Sequence, residues 1–129
     1  MVVDTSALVA ILKAEPDAAA VLAKLAAATV CRLSAANFVE AGLIAHRDPT
    51  GAHREALEDL IQEFDIRIEP VSERQARLAL DAFRRYGKGT GHPAGLNYGD
   101  CFAYALAADT GEPLLFKGND FSRTDLTPA

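Results

Sequence analysis

The sequence is poor in the features that would send a chain out of the cell, into a bilayer or onto a polyanion. Only two cysteines, Cys31 and Cys101, occur in 129 residues. Their spacing is not that of a metal site, and two are too few for a disulfide scaffold, so they read as reduced core thiols. No basic n-region or long apolar h-region precedes Val2-Val3-Asp4, so no secretory signal is expected. The most apolar stretch, Ala18 to Ala28, is short and broken by Lys24, well below the ~20 apolar residues of a spanning helix. A cytoplasmic protein with no membrane attachment is the expectation. Positive charge is scarce too: 13 Lys and Arg stand against 18 Asp and Glu, a net charge of −5. That balance lacks the broad basic footprint of a general nucleic-acid binder. A polyanionic substrate must then meet a local basic patch, or a cation that neutralises an acidic site.

What is present is the composition of a globular protein, 50% hydrophobic and 24% charged, of a length that suits a single domain over 1–129. Met1-Val2-Val3 is a brief apolar run ending at Asp4-Thr5-Ser6, which can cap a helix beginning at Ala7-Leu8-Val9. Pro16 separates that helix from an alanine-rich one reaching about Ala28. Thr29 to Leu33 reads as a second strand, with Ser34 capping a helix to about His46. Leu57, Leu60, Ile61 and Phe64 recur at helical spacing, Ile66 to Val71 reads as a third strand, and Ser72 with Gln75 resembles a capping box for a helix to about Tyr86. The segment from Gly87 to Gly99 holds five of the nine glycines and reads as a long functional loop. A helix from about Asp100 to Asp109 and a last strand, Leu114 to Phe116, complete the pattern. Strands apolar on both faces, alternating with helices, predict an α/β fold: a three-layer α/β/α domain around a short, mainly parallel sheet of four to five strands.

That topology gathers four acids from remote segments. Ligands of open parallel sheets bind beyond the carboxyl ends of the strands. Asp4 and Asp120 follow strands, Asp100 opens a helix, and Glu40 is the lone ionisable residue in the apolar run Phe38 to Ala45. Crowded carboxylates repel one another and resist ionisation, and a buried one is costly unless paired or bound to metal. A hard cation such as Mg²⁺, held by a few carboxylates with water and phosphate oxygens completing its shell, relieves both costs. The acids therefore predict a metal-dependent enzyme acting on phosphodiesters. Arg84, Arg85 and Lys88 at the start of the glycine-rich loop, with Lys117 near the last acid, are candidate phosphate contacts. Tyr86 and Tyr98 suit core or dimer packing better than base stacking. His46, His53 and His92 are assigned ordinary surface roles. A haloacid-dehalogenase type of phosphatase is a poor match because it would want a second Asp where Ser6 stands. A receiver domain could use Lys117 but is also a poor match, because Pro70-Val71 occupies the place of its acceptor Asp.

Four segments carry a specific resemblance. They are Val-Val-Asp-Thr-Ser-Ala-Leu-Val-Ala-Ile-Leu at the start, the helix with Asn37 and Glu40, Gly95-Leu96-Asn97-Tyr98-Gly99-Asp100-Cys101, and Pro113 to Phe121. Together they resemble the VapC-type toxins of the PIN-domain ribonucleases over nearly the whole chain. The resemblance implies an endoribonuclease dependent on Mg²⁺ or Mn²⁺, the toxin of a type II toxin–antitoxin pair. It also implies a homodimer and silencing by a VapB-like antitoxin. Residue by residue, it makes Asp4, Glu40 and Asp100 the core of the metal site, Asp120 the fourth acid with Asn119 beside it, and Ser6 a supporting polar group. A PIN-fold module that binds RNA or antitoxin with little or no turnover is the alternative. Apolar residues such as Leu12, Val21, Leu25, Leu43 and Leu57 are expected to be mostly core, with some left for a dimer face or an antitoxin groove.

Overall fold

The computed structural model describes residues 1–129. Its order is β1 (Val2–Val3), α1 (Thr5–Leu12), α2 (Ala18–Ala27), β2 (Cys31–Ser34), α3 (Ala35–Ala45), α4 (Ala52–Glu63), β3 (Ile66–Glu69), α5 (Glu73–Tyr86), α6 (Tyr98–Thr110) and β4 (Leu114–Leu115). A single 3-10 turn, Phe121–Arg123, follows. The sheet has four strands in the order β3-β2-β1-β4, and every pair is parallel. The four strands fall within the expected four to five, and an isolated bridge pairs Leu114 with Pro128.

Two-residue alternation explains how so short a sheet supports two layers. Val2 and Leu114, partners in register, bury toward α5 and α6, together with Ala79, Ala82, Tyr104 and Leu106. Val3 and Leu115 turn the other way, into a cluster built from α1 to α4 with Leu8, Leu25, Leu33 and Ile66. Successive strand residues point to opposite faces, so each central pair serves both layers. Leu12, Val21, Leu25 and Leu57 are core residues; of the five apolar positions singled out in the sequence, only Leu43 is exposed. The exposed apolar surface instead includes Leu80, Phe83 and Tyr98, which with Ala76, Ala79, Cys101 and Phe102 line a groove between α5 and α6. No helix is long and apolar enough to cross a membrane.

Caps decide where the elements begin. The last helix starts at Tyr98, not Asp100, because Asn97 caps it: Asn97 Oδ1 accepts from the Asp100 amide at 2.9 Å and Asp100 Oδ2 accepts from the Asn97 amide at 2.8 Å. Ser72 caps α5 as expected, accepting from the Gln75 amide. The Gln75 side chain turns instead to Asp109. Ser34 occupies the cap position of α3 without making the expected bond, and its buried hydroxyl has no partner. β3 stops at Glu69, since Pro70 has no amide to extend the ladder.

The chain builds the sheet outward from β1 to β2 to β3, then returns to add β4 on the opposite side of β1. The reversal places a crevice beyond the carboxyl ends of β1 and β4. Asp4 and Lys117 leave those two strands, and the edges are stitched there: the Asp4 amide donates to the Leu115 carbonyl at 2.8 Å.

Candidate active site

Asp4 stands at the head of the crevice. It caps α1, its Oδ2 accepting from the Ser6 amide at 2.8 Å and the Ser6 hydroxyl at 2.5 Å. Ser6 Oγ in turn accepts from the Lys117 amide at 2.9 Å, so one hydroxyl joins the exits of β1 and β4. Capping and site roles are therefore compatible in one residue. Its other oxygen, Oδ1, is buried and has no hydrogen-bond partner. With the residue only 2% exposed, burial pushes the Asp4 carboxyl up, the Ser6 bonds oppose that shift, and the nearby Glu40 charge adds to it.

Asp100 lies in the first turn of α6, half-buried. Loss of water raises its carboxyl from 3.8 to about 7; the bond from the Asn97 amide pulls the other way, and the charges of Asp4, Asp120 and Glu40 raise it further. Three acids from three other segments thus act on one carboxyl. Glu40 comes from α3, and its carboxylate lies over Gly99: a Cβ built on that glycine would fall 1.9 Å from Glu40 Oε2. Asp120 is exposed at the start of the last 3-10 turn, beside exposed Asn119.

The four acids share a field without converging on a point. No three acidic, histidine or cysteine side chains approach closely enough to grip an ion between them. The orphaned, buried Asp4 Oδ1 beside an Asp100 that resists ionisation nevertheless fits a small divalent cation. Such ions take one or two protein carboxylates and fill the rest of the shell with water and phosphate oxygens.

The basic candidates do not form one patch. Lys117 Nζ pairs with Glu15, and lies 3.9 Å from Asp17, on the α1–α2 side. Arg85 is held on the opposite layer: it bonds Asp125 at 3.0 Å and the Tyr86 and Tyr104 hydroxyls, and stacks over the Tyr86 ring. Arg84 pairs with Asp81 at 2.6 Å. With acids in excess, most of these cations have an internal partner within reach. Lys88, exposed at the loop entrance, takes part in no ion pair. Tyr86 is core, whereas Tyr98 is 79% exposed against the edge of Phe102.

Sequence reasoning missed the polar scaffold beneath the acids. Asn37 is fully buried and donates through Nδ2 to Thr5 Oγ1 and to the Gly99 carbonyl. An amide side chain one turn before the only acid of an apolar helix was the available signal.

Comparisons with known proteins bear on the family and the fold. The family model described as PIN domain matches residues 1–126. Ribonuclease VapC28 of Mycobacterium tuberculosis is 55% identical over 131 residues, covering 100% of this chain and 97% of that protein. Ribonuclease VapC42 of the same species is 46% identical over 129 residues, covering 100% and 98%. Among solved structures, the sarcin-ricin loop cleaving toxin VapC20 of M. tuberculosis superposes with a TM-score of 0.77 at 18% identity, over 99% of this chain and 97% of that one. A toxin-antitoxin complex from Klebsiella pneumoniae gives a TM-score of 0.72 at 17% identity, over 96% and 92%. At such identities the two structures speak for the fold alone. The match across both cores and all four acid-bearing segments, together with the curated relatives, places this chain in the PIN-domain family, among its VapC-type members.

Proposed function

We propose that this chain is a divalent-metal-dependent endoribonuclease, the toxin of a type II toxin–antitoxin pair, working as one domain over 1–129. The observation that carries the reading is the unpartnered Asp4 Oδ1 buried beside Asp100, whose ionisation its neighbours oppose. The names of the 46–55% identical relatives support it. Asp4 and Asp100 would hold Mg²⁺ or Mn²⁺, with Glu40 and Asp120 in outer positions and Asn119 near Asp120. When bound, the ion supplies charge against the phosphate and acidifies a water for in-line attack.

The remaining work falls to side chains whose placement is defined. Ser6 clamps one oxygen of Asp4 and fixes the direction of the other. The capping box holds Asp100 at the head of α6 by the oxygen that accepts from Asn97. Glu40, seated over Gly99, is suited to orient water. Hydrolysis at such a site leaves 5′-phosphate and 3′-hydroxyl ends. It involves none of the histidines: His92 Nδ1 already accepts from the Ala94 amide.

A VapB-like antitoxin and a second copy of the chain are the partners this reading requires. Placing a basic antitoxin side chain among Asp4, Glu40 and Asp100 would satisfy their repulsion as a cation does, giving inhibition by metal displacement. Sedimentation of the isolated chain tests the homodimer: a species of twice the chain mass is expected.

Cleavage of a structured RNA decides the catalytic reading. Activity should require Mg²⁺ or Mn²⁺, vanish in EDTA, and fall by more than ~100-fold in Asp4→Asn and Asp100→Asn, beyond the 10–100-fold cost of losing an outer-shell partner. Turnover surviving in EDTA would reject the metal chemistry. RNA binding without turnover under any of these conditions would instead identify a binding module.

A further inference from the structure

We propose that Asn37 is a positioning residue that, with Thr5, sets the three acid-bearing segments in a common frame; this inference rests on the metal-site reading above. Each of its contacts lies next to an acid in the chain. Thr5 follows Asp4, Gly99 precedes Asp100, and Asn37 itself stands one helical turn before Glu40. Asn37 Nδ2 donates to Thr5 Oγ1 at 3.2 Å and to the Gly99 carbonyl at 3.0 Å. Thr5 Oγ1 donates back to the Asn37 carbonyl at 3.4 Å. One buried amide therefore bridges the starts of α1, α3 and α6.

The orientation of the amide is fixed by chemistry. A carbonyl only accepts, so the nitrogen must face Gly99. That choice leaves Asn37 Oδ1 buried with no partner, which is destabilising for a fully buried residue. Stability alone would favour an apolar side chain among the core residues that surround this part of α3. Retaining a half-satisfied amide there is explained by geometry: the bond to Gly99 sets the distance between α6 and α3 at the point where Glu40 Oε2 has no room for even one added methyl. Sliding the two helices apart moves Glu40 relative to Asp100, and loosening Thr5 moves Asp4.

Outer partners of this kind act on metal affinity more than on folding. Titrating Mn²⁺ alone into the full-length protein, followed by electron paramagnetic resonance with melting temperatures alongside, separates the two effects. Asn37→Ala and Thr5→Val are expected to raise the Mn²⁺ Kd roughly 10- to 100-fold. Leu57→Ala removes core packing on α4 and should lower the melting temperature at least as much. It should leave the Kd within about twofold, as expected for a distant, independent site. An unchanged Kd in Asn37→Ala, or an equal weakening in Leu57→Ala, overturns the inference. Should Asn37→Ala fail to fold, the isosteric Thr5→Val decides by the same criterion. Wild-type protein lacking Mn²⁺ binding that Asp4→Asn abolishes would reject the metal site and this inference together. Wild-type binding with an unaffected Asn37→Ala rejects the positioning role alone.

Discussion

Asp100 keeps its proton to about 7 in the folded chain, against 3.8 for a free carboxyl, because burial and the charges of Asp4, Asp120 and Glu40 disfavour its anion. The direction fixes the sign of a pH effect. The folded state binds a proton that the unfolded state has released, so in the absence of metal this group stabilises the fold least at high pH. Its contribution falls as pH rises from about 4 to about 7 and is constant above, a change on the order of a few kcal/mol; Asp4 shifts in the same direction. In EDTA the melting temperature should therefore drop between pH 5 and pH 8 more in wild type than in Asp100→Asn. Added Mn²⁺ should restore the wild-type value at pH 8. Equal pH dependence in the two proteins would remove the electrostatic basis of the site. The places of Asp4 and Asp100 were legible because each stands at the start of a helix, and that of Glu40 because it is the lone acid of an apolar helix. The bond to Ser6 that leaves Asp4 Oδ1 orphaned was not, since it depends on a rotamer fixed by the Lys117 amide from 111 residues away.

The start of α6 joins structure and chemistry most closely. Gly99 lies in its first turn with a backbone that other residues adopt, so a methyl there is opposed by Glu40 and not by φ. Gly99→Ala replaces a poor helix former with a good one, a gain of up to ~1 kcal/mol in an exposed helix. The new Cβ meets Glu40 Oε2 at 1.9 Å, and that flexible end must swing away. The two readouts should part: melting temperature nearly unchanged, RNA cleavage down by at least about tenfold, the scale of a disturbed outer partner. Activity at the wild-type level would show that Glu40 has no required position. Helices were legible because apolar periodicity and punctuation by Pro16, Gly111 and Ser72 agree. Their first residues were less so. Asn97 captured α6 two positions early, while Ser34, an equally good capping residue by type, stands at the cap position of α3 without a side-chain bond. Composition names the residues able to cap, but tertiary packing chooses among them.

Taken whole, the molecule carries a net charge of −5 and holds six of its thirteen arginines and lysines in ion pairs with its own acids. Arg32 bridges Glu69 and Glu112, Arg74 holds Asp109, Arg85 holds Asp125, and Lys117 holds Glu15. Clustering in sequence suggested a basic strip from Arg84 to Lys88. In the fold Arg84 pairs with Asp81 and Arg85 with Asp125, which leaves Lys88 of that strip without an ion pair. The two layers likewise absorbed most of the apolar residues that sequence alone left available to partners, leaving Leu43 exposed and revealing Leu80, Phe83 and Tyr98 instead. Of the four basic candidates, Lys88 alone is left without an ion pair to neutralise a phosphate. Each neutralised phosphate of a single strand contributes a slope of about −0.7 in log K against log salt. RNA binding measured in EDTA, where cleavage is absent, should be weak, with a slope shallower than about −3, or roughly four phosphates. Lys88→Ala should flatten the slope by about 0.7, since that side chain is free of ion pairs. Lys117→Met should leave it unchanged, since its charge is already matched by Glu15. A steep slope in metal-free protein, or a large loss in Lys117→Met, would mean that the internal pairs open to receive RNA and that protein cations, not the metal, draw the strand to the acidic crevice.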